Sequence, residues 1–400
     1  MKSYIRGRFS EGKCARENDI KLGVNNYMGY IFTNVQRIEE IKKSIAADKR
    51  LKRELEDLAE EYMMTEPMSV TFHKSPAVSG NIHDYFSEGP YWWPDEKNPG
   101  GPYIRRDGEV NPDTFNYHKD DLSKLCRAVC VLAQAGLYLE RESYYQKAME
   151  LIQVWFLDEK TKMAPHLEYA QAIRGKCDGR GIGIIDTAEC VMLIYGANII
   201  EMAGLYPKEM AGLKAWFADY VTWLNTSEKG LAEKHYFNNH ANWWNTQVAA
   251  YCAFIGNEAL LKECFEKYRN DILVNQVDEK GVFIDEVTRT RSYSYTIYNM
   301  TACAIICEVA YYRGIDLWNY VAENGHSLRK CVEFFTPYYE NLFLWSYEQI
   351  SIEGCNCEKL PMKLAAMRYQ DAALEKINQN KRKGVIPCSQ ISHMGVLDLV

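Results

Sequence analysis

Two runs of the chain carry side chains that could move protons and hold an acid. The first is Phe237-Asn238-Asn239-His240-Ala241-Asn242-Trp243-Trp244-Asn245-Thr246-Gln247, where amides, an imidazole and two indoles follow neither a helical nor a strand period. Val248, Ala249, Cys252 and Ile255 then fall on one helical face, so the spacing predicts the Asn-His pair at or just before a helix start. Asparagines there also cap helices, and capping is the competing reading. The second run, Arg289-Thr290-Arg291-Ser292-Tyr293-Ser294-Tyr295-Thr296-Ile297-Tyr298-Asn299, leads into an apolar helix over 300–312. A guanidinium beside a phenol favours phenolate, lowers the pKa and turns tyrosine into a proton-transfer group.

The elements that position these runs read as helical hairpins. Residues 33–64 form a charged helix or helix pair. Paired helices then follow at 119–138 with 143–156, 187–203 with 209–224, 242–255 with 257–272, and 297–313 with 326–336. Asp186 with Glu189 reads as a capping box for the third of these helices. One more helix is expected over about 361–378, and strand signals are limited to short pieces such as 281–284. Hairpins of this length without a strict repeat fit an all-α ring, an α/α toroid with few short strands, better than a straight solenoid. The irregular region 70–117 is rich in Pro, Gly and aromatics, so it is expected to be a packed loop facing the substrate.

The chain has 400 residues, 47% hydrophobic and 25% charged, and no linker-like stretch. One large domain is expected over 71–350, with a helical extension at 1–70 and a helical tail at 351–400 packed on it. A net charge of −7 and a pI near 5.8 argue against nucleic acid as the main partner. A local arginine cluster could still hold an anionic substrate. Thirteen cysteines, with Cys126 and Cys130 and then Cys303 and Cys307 at helical spacing, read as buried small hydrophobes in a reducing compartment. The N-terminus has no apolar run of signal length, and no stretch reads as membrane-spanning, so a native chain is expected in the cytoplasm. A chain whose leader had been removed would instead be periplasmic or secreted. His235 lacks metal-helix spacing, Cys355-Asn356-Cys357 is too short for zinc, and no nucleotide motif occurs, so neither metal nor organic cofactor is expected.

Several segments together resemble the alginate lyase family of helical toroids, polysaccharide lyase family 5 and relatives such as family 38. They are Gly89-Pro90-Tyr91-Trp92-Trp93-Pro94 with Pro102-Tyr103-Ile104-Arg105-Arg106-Asp107-Gly108, Tyr169-Ala170-Gln171-Ala172-Ile173 through Gly179-Arg180-Gly181-Ile182-Gly183-Ile184-Ile185-Asp186-Thr187, Asn238-Asn239-His240, and Arg289-Thr290-Arg291 to Tyr298. The resemblance spans about 85–345 and implies β-elimination of a 1,4-linked polyuronate such as alginate, polymannuronate or glucuronan, leaving 4,5-unsaturated ends. Asn239, His240, Arg291 and Tyr298 look like the family's catalytic group. Ala241 departs from the expected glycine.

Residue chemistry agrees with those roles. Removing the C5 proton beside a charged carboxylate requires that the carboxylate be neutralised, and Asn239 and Arg291 can do this. Preorganised donors of this kind contribute about 3 to 4 kcal/mol each. Where the proton and the leaving group depart on the same face, Tyr298 can act as base and acid; where they depart on opposite faces, His240 is the better base. Tyr91, Trp92, Trp93 and Trp244 offer flat faces for sugars. Arg105, Arg106, Arg180, Arg289, Gln171, Asn238 and Tyr295 are candidates for holding flanking uronates.

Two other classes compete. A glycoside hydrolase on the same toroid would need a carboxylate pair drawn from Glu168, Asp186, Asp285 and Glu286. A non-catalytic polyuronate-binding protein would use the aromatic loop and release nothing. Arg291 could also simply pair with Asp285 or Glu286, and Tyr298 could be core.

Overall fold

The computed structural model describes residues 29–352, 359–380 and 383. In chain order the helices are α1 (Val35–Ala47), α2 (Lys49–Met63), α3 (Tyr117–Leu139), α4 (Glu142–Ile152), α5 (Cys190–Met202), α6 (Pro207–Thr226), α7 (Glu228–Lys234), α8 (Asn239–Ile255), α9 (Glu258–Lys267), α10 (Leu273–Gln276), α11 (Ser292–Tyr311), α12 (Leu328–Glu340), α13 (Leu360–Tyr369) and α14 (Ala372–Gln379). The strands are short: β1 (Phe86–Glu88) pairs parallel with β4 (Tyr169–Ala172), and β2 (Trp92–Trp93) pairs antiparallel with β3 (Ile104–Arg105). The expected all-α architecture of hairpins with few strands is therefore the observed one, and it does not close into a barrel.

Four helices form the inner layer. α3, α5, α8 and α11 are buried on nearly every face, as helices without a polar stripe must be. They pack as neighbours in that order, while α4, α6, α9 and α12 cover them. Side-chain bonds give their direction. Lys119 approaches Asp186, and Arg127 bonds Glu189 further along both chains. Gln247 bonds Ile184 and Tyr251 bonds Thr187; Asn242 bonds Asn299 and Thr246 bonds Ala302. In each pair the numbers rise together, so the inner helices run parallel. Their N-termini, with the positive ends of the helix dipoles, lie at one end of the molecule.

Several expectations need correction. Glu189 makes no side-chain cap, because Asp186 lies in a 3-10 turn over 181–187 and its carboxylate is bonded by Tyr85, Ser87 and Gln171. The capping box is therefore not formed. α11 begins at Ser292, a turn earlier than expected, and the expected helix at 361–378 is two helices broken at Gln370, whose φ is 53°. Residues 281–284 contribute only an isolated bridge from Phe283 to Val277. α3 is long and apolar enough to cross a bilayer, contrary to expectation, but 72% of that stretch is buried within the fold. The spaced cysteines 126, 130, 303 and 307 are buried and free, as expected. Cys355 and Cys357 lie outside the described residues.

Candidate active site

The Asn-His pair opens α8. Asn238 is the cap, its Oδ1 accepting from the backbone N–H of His240 at 3.1 Å, so the competing capping reading holds for this residue. Asn239 and His240 are thereby free to turn elsewhere in the first turn. The backbone N–H of Asn239 donates to Glu286 Oε1 at 2.7 Å, and its Nδ2 lies 2.9 Å from both oxygens of that carboxylate. Both oxygens sit on one side of the nitrogen, whereas the two amide N–H bonds diverge widely. One N–H thus serves both oxygens of Glu286, and Nδ2 has no second side-chain partner among the described residues. Burial raises the Glu286 carboxyl above its ordinary range, against the lowering effect of the Asn239 donors and of the Arg289 and His240 charges.

His240 is oriented from the other side. Its Nδ1 lies 2.7 Å from Oε1 of Glu233, a residue of α7 that is only 1% exposed. Among the described residues no protein group bonds Nε2. The exposed rings of Tyr236 and Phe237 stack at 4.6 Å, and Tyr236 meets the imidazole at 5.4 Å.

The second run enters through α11. Arg291 is the residue before the helix, and its Nε is buried with no hydrogen-bond partner. Among the described residues it has no carboxylate within ion-pair distance, so the pairing with Asp285 or Glu286 weighed above does not form. Tyr298, in the second turn, is half-buried, and its ring packs at 4.8 Å on Trp243, three residues after His240. Asn242 Nδ2 donates to Asn299 Oδ1 at 2.7 Å, and Asn299 in turn approaches Glu286. These bonds tie the starts of α8 and α11 together, so the two runs, some fifty residues apart in sequence, converge in space.

A loop over 89–111 spans the same end. On one side Gly89 donates to Ala172 and Tyr103 to Arg174. On the other, Asp107 takes two bonds from Arg289, at 2.9 and 3.2 Å, and the Tyr295 hydroxyl donates to Tyr91 at 2.9 Å. Burial would raise the Asp107 carboxyl, but Arg289, Arg105 and Thr290 outweigh it and hold it down at about 2. Arg180 lies with its guanidinium 5.7 Å from the ring centre of Trp92, whose other cation neighbour is Lys176 at 4.4 Å. Arg180 bonds two uncharged oxygens of Gln171 and no carboxylate among the described residues. Burial lowers its pKa, and the nearby Arg105 charge adds to this.

The candidate binding residues therefore divide. Tyr91, Trp92, Trp93, Arg105, Arg106 and Arg180 lie on or against the loop. Arg105 bonds Asp107, and Arg106 bonds Glu96 and lies 5.0 Å over Trp93. Arg289 is committed to Asp107 and stacks 3.8 Å over Tyr295, so it ties down the loop and is not free for a uronate. Tyr295 is raised, not lowered, because burial outweighs that arginine. Gln171, at φ 50°, has its amide engaged by Asp186 and Arg180 and acts as a bracket between them. Trp244 is 1% exposed and belongs to the core. The exposed rings beside His240 are instead Tyr236 and Phe237; two adjacent aromatics flanking the motif were the available signal. Nothing in the sequence pointed to Glu233.

The hydrolase carboxylates are placed differently from a catalytic pair. Glu168 pairs with Lys229 at 2.8 Å, and Asp186 and Glu286 are buried among donors. No group of three or more residues able to hold a metal occurs among the described residues.

Parallel inner helices gather an imidazole, a phenol and guanidinium groups without carboxylate partners among the described residues at one end of the toroid, and the comparisons with known proteins make the class a polysaccharide lyase. The family model for alginate lyase matches residues 69–345, close to the span over which the sequence carries the resemblance. The chain belongs to the alginate lyase family. It is similar to the crystal structure of an alginate lyase from Bacteroides ovatus, with 31% identity and a TM-score of 0.83, covering 93% of this chain and 99% of that one. Alginate lyase A1-III from Sphingomonas species A1 shares the fold at 14% identity and a TM-score of 0.59, with 95% of each chain covered. Comparison with curated proteins gives no match.

Proposed function

We propose that the protein cleaves a 1,4-linked polyuronate of the alginate or glucuronan type by β-elimination, with Asn239, His240, Arg291 and Tyr298 acting on the sugar. The observation that carries this reading is the pair of half-buried guanidiniums, Arg180 and Arg291, left without carboxylate partners among the described residues beside the His240 and Tyr298 segments. A cation partly withdrawn from water is stabilised by an anion brought to it, and a uronate supplies one at every residue of the polymer. Arg291 and the free N–H of Asn239 neutralise the carboxylate next to C5. A base then takes the C5 proton, the electron pair forms the C4–C5 double bond, the C4–O4 bond breaks, and an acid protonates O4.

Tyr298 is the acid, and on substrates whose proton and leaving oxygen share a face it also serves as the base. Y298F removes the transferable proton while keeping the ring against Trp243. The expected outcome is a fall of about 10²- to 10⁴-fold in kcat with KM little changed, read as the near-ultraviolet absorbance of the unsaturated product. Undiminished release of unsaturated product by Y298F would overturn the assignment. Release of reducing ends without the chromophore would overturn the lyase chemistry itself.

A further inference from the structure

Glu233 is a buried carboxylate that the reaction above does not use. It is 1% exposed, its Oε1 meets His240 Nδ1 at 2.7 Å, and its Oε2 is buried with no hydrogen-bond partner. Among the described residues no lysine or arginine pairs with it. An anion held this way weakens the fold, because desolvation is offset by a single contact. Its helix is nonetheless fixed in place. A Cβ on Gly230 would stand 2.3 Å from Leu224 O, and one on Gly181 would stand 2.8 Å from Lys229 O, so two glycines let α7 sit clamped between the end of α6 and the 181–187 turn.

A carboxylate facing Nδ1 requires a proton on that nitrogen, which leaves the lone pair of neutral His240 on Nε2. We propose that Glu233 is the positioning residue that makes Nε2 of His240 the base for uronates whose C5 hydrogen lies on the face opposite O4. This inference rests on the lyase reading above. In D-mannuronate and D-glucuronate units the C5 hydrogen and O4 share a face, and Tyr298 suffices. In L-guluronate, the C5 epimer, they lie on opposite faces and a second group is needed. There Nε2 takes the C5 proton, the C4–C5 double bond forms as C4–O4 breaks, and Tyr298 gives its proton to O4. Glu233 then stabilises the imidazolium until Nε2 releases the proton to solvent and solvent returns one to the phenolate, which restores both groups.

The test uses the full chain, wild type against E233Q and E233L, with melting curves to confirm folding; should E233L not fold, E233Q carries every arm. On polyguluronate kcat is expected to fall about 10²- to 10⁴-fold with KM within about twofold, while on polymannuronate it falls less than about tenfold. Nitrogen-15 spectra of the imidazoles, with the His240 signal identified by its loss in H240A, are expected to show the Nδ1-protonated tautomer in the wild type and its loss in the variants. Equal losses on both polymers, an unaltered tautomer, or a wild type that cleaves polymannuronate but not polyguluronate would each overturn the proposal. A wild type that cleaves no polyuronate would remove the lyase reading, and the spectra would still decide whether Glu233 sets the tautomer.

Discussion

Asn239 sits where a single carboxylate decides which way an amide points. Glu286 takes its backbone N–H and one side-chain N–H, so the remaining N–H is aimed by geometry and not by chance. In E286Q the new amide would set N–H groups against those same donors, and Asn239 would lose its bracket. The expected result is a drop of about tenfold or more in kcat/KM, as for a lost donor to the developing charge. The pH dependence of stability would change as well. Because burial raises the folded-state pKa of Glu286, the wild type loses stability as pH rises from the ordinary value of 4.5 through the raised one. E286Q lacks that decline, which urea midpoints taken across the range would show. Asn239, His240, Arg291 and Tyr298 were singled out in the sequence because one reaction demands their residue types, and the bond from Asn242 to Asn299 draws together the helix starts that carry them. Glu233 and Glu286 were not legible in their roles, since a carboxylate on a helix or loop reads as solvated surface until the fold buries it against a partner 7 or 47 positions away.

At the scale of elements, the inner helices were legible because their apolar positions recur at helical spacing, and the start of α8 was legible from its asparagines. The start of α5 was misread because Asp186 has partners 99 to 101 residues distant in Ser87 and Tyr85, which outcompete a local cap. The 89–111 loop was legible as packed and aromatic, but its anchoring was not, since the arginine expected to grip substrate grips Asp107 instead. That anchor gives a prediction. D107A is expected to speed amide exchange across 89–111 while leaving the α3 and α5 amides protected, and to raise KM about tenfold as the loop's cations lose their placement. In the wild type the same anchor depends on acid. With the folded-state pKa of Asp107 held down at about 2, its stabilisation is present above the ordinary value of 3.8 and is lost as pH falls from there through about 2.

Across the whole molecule, the proposed chemistry and a buried ion pair occupy opposite ends of α11. Tyr298 lies in its second turn, while Glu308, about 15 Å further along at 1.5 Å per residue, receives Arg368 of α13 through two bonds of 2.7 and 2.6 Å. Arg368 also stacks 3.6 Å over Tyr311, and Trp318 Nε1 donates to the same carboxylate at 2.8 Å. Both charged side chains are nearly sealed, at 10% and 7% exposure. Removing one partner of such a pair leaves the other charge buried alone, which costs about 3 to 5 kcal/mol. R368A is therefore expected to lower the urea midpoint sharply, because α13 loses its clamp on the inner layer and Glu308 is stranded. Under conditions where the variant remains folded, kcat and KM should match the wild type, since nothing in this cluster touches the start of α8 or α11. A change in kcat at full occupancy of the folded state would mean that the far end of α11 controls where Tyr298 stands. The separation of the two ends would then fail as a description of this fold.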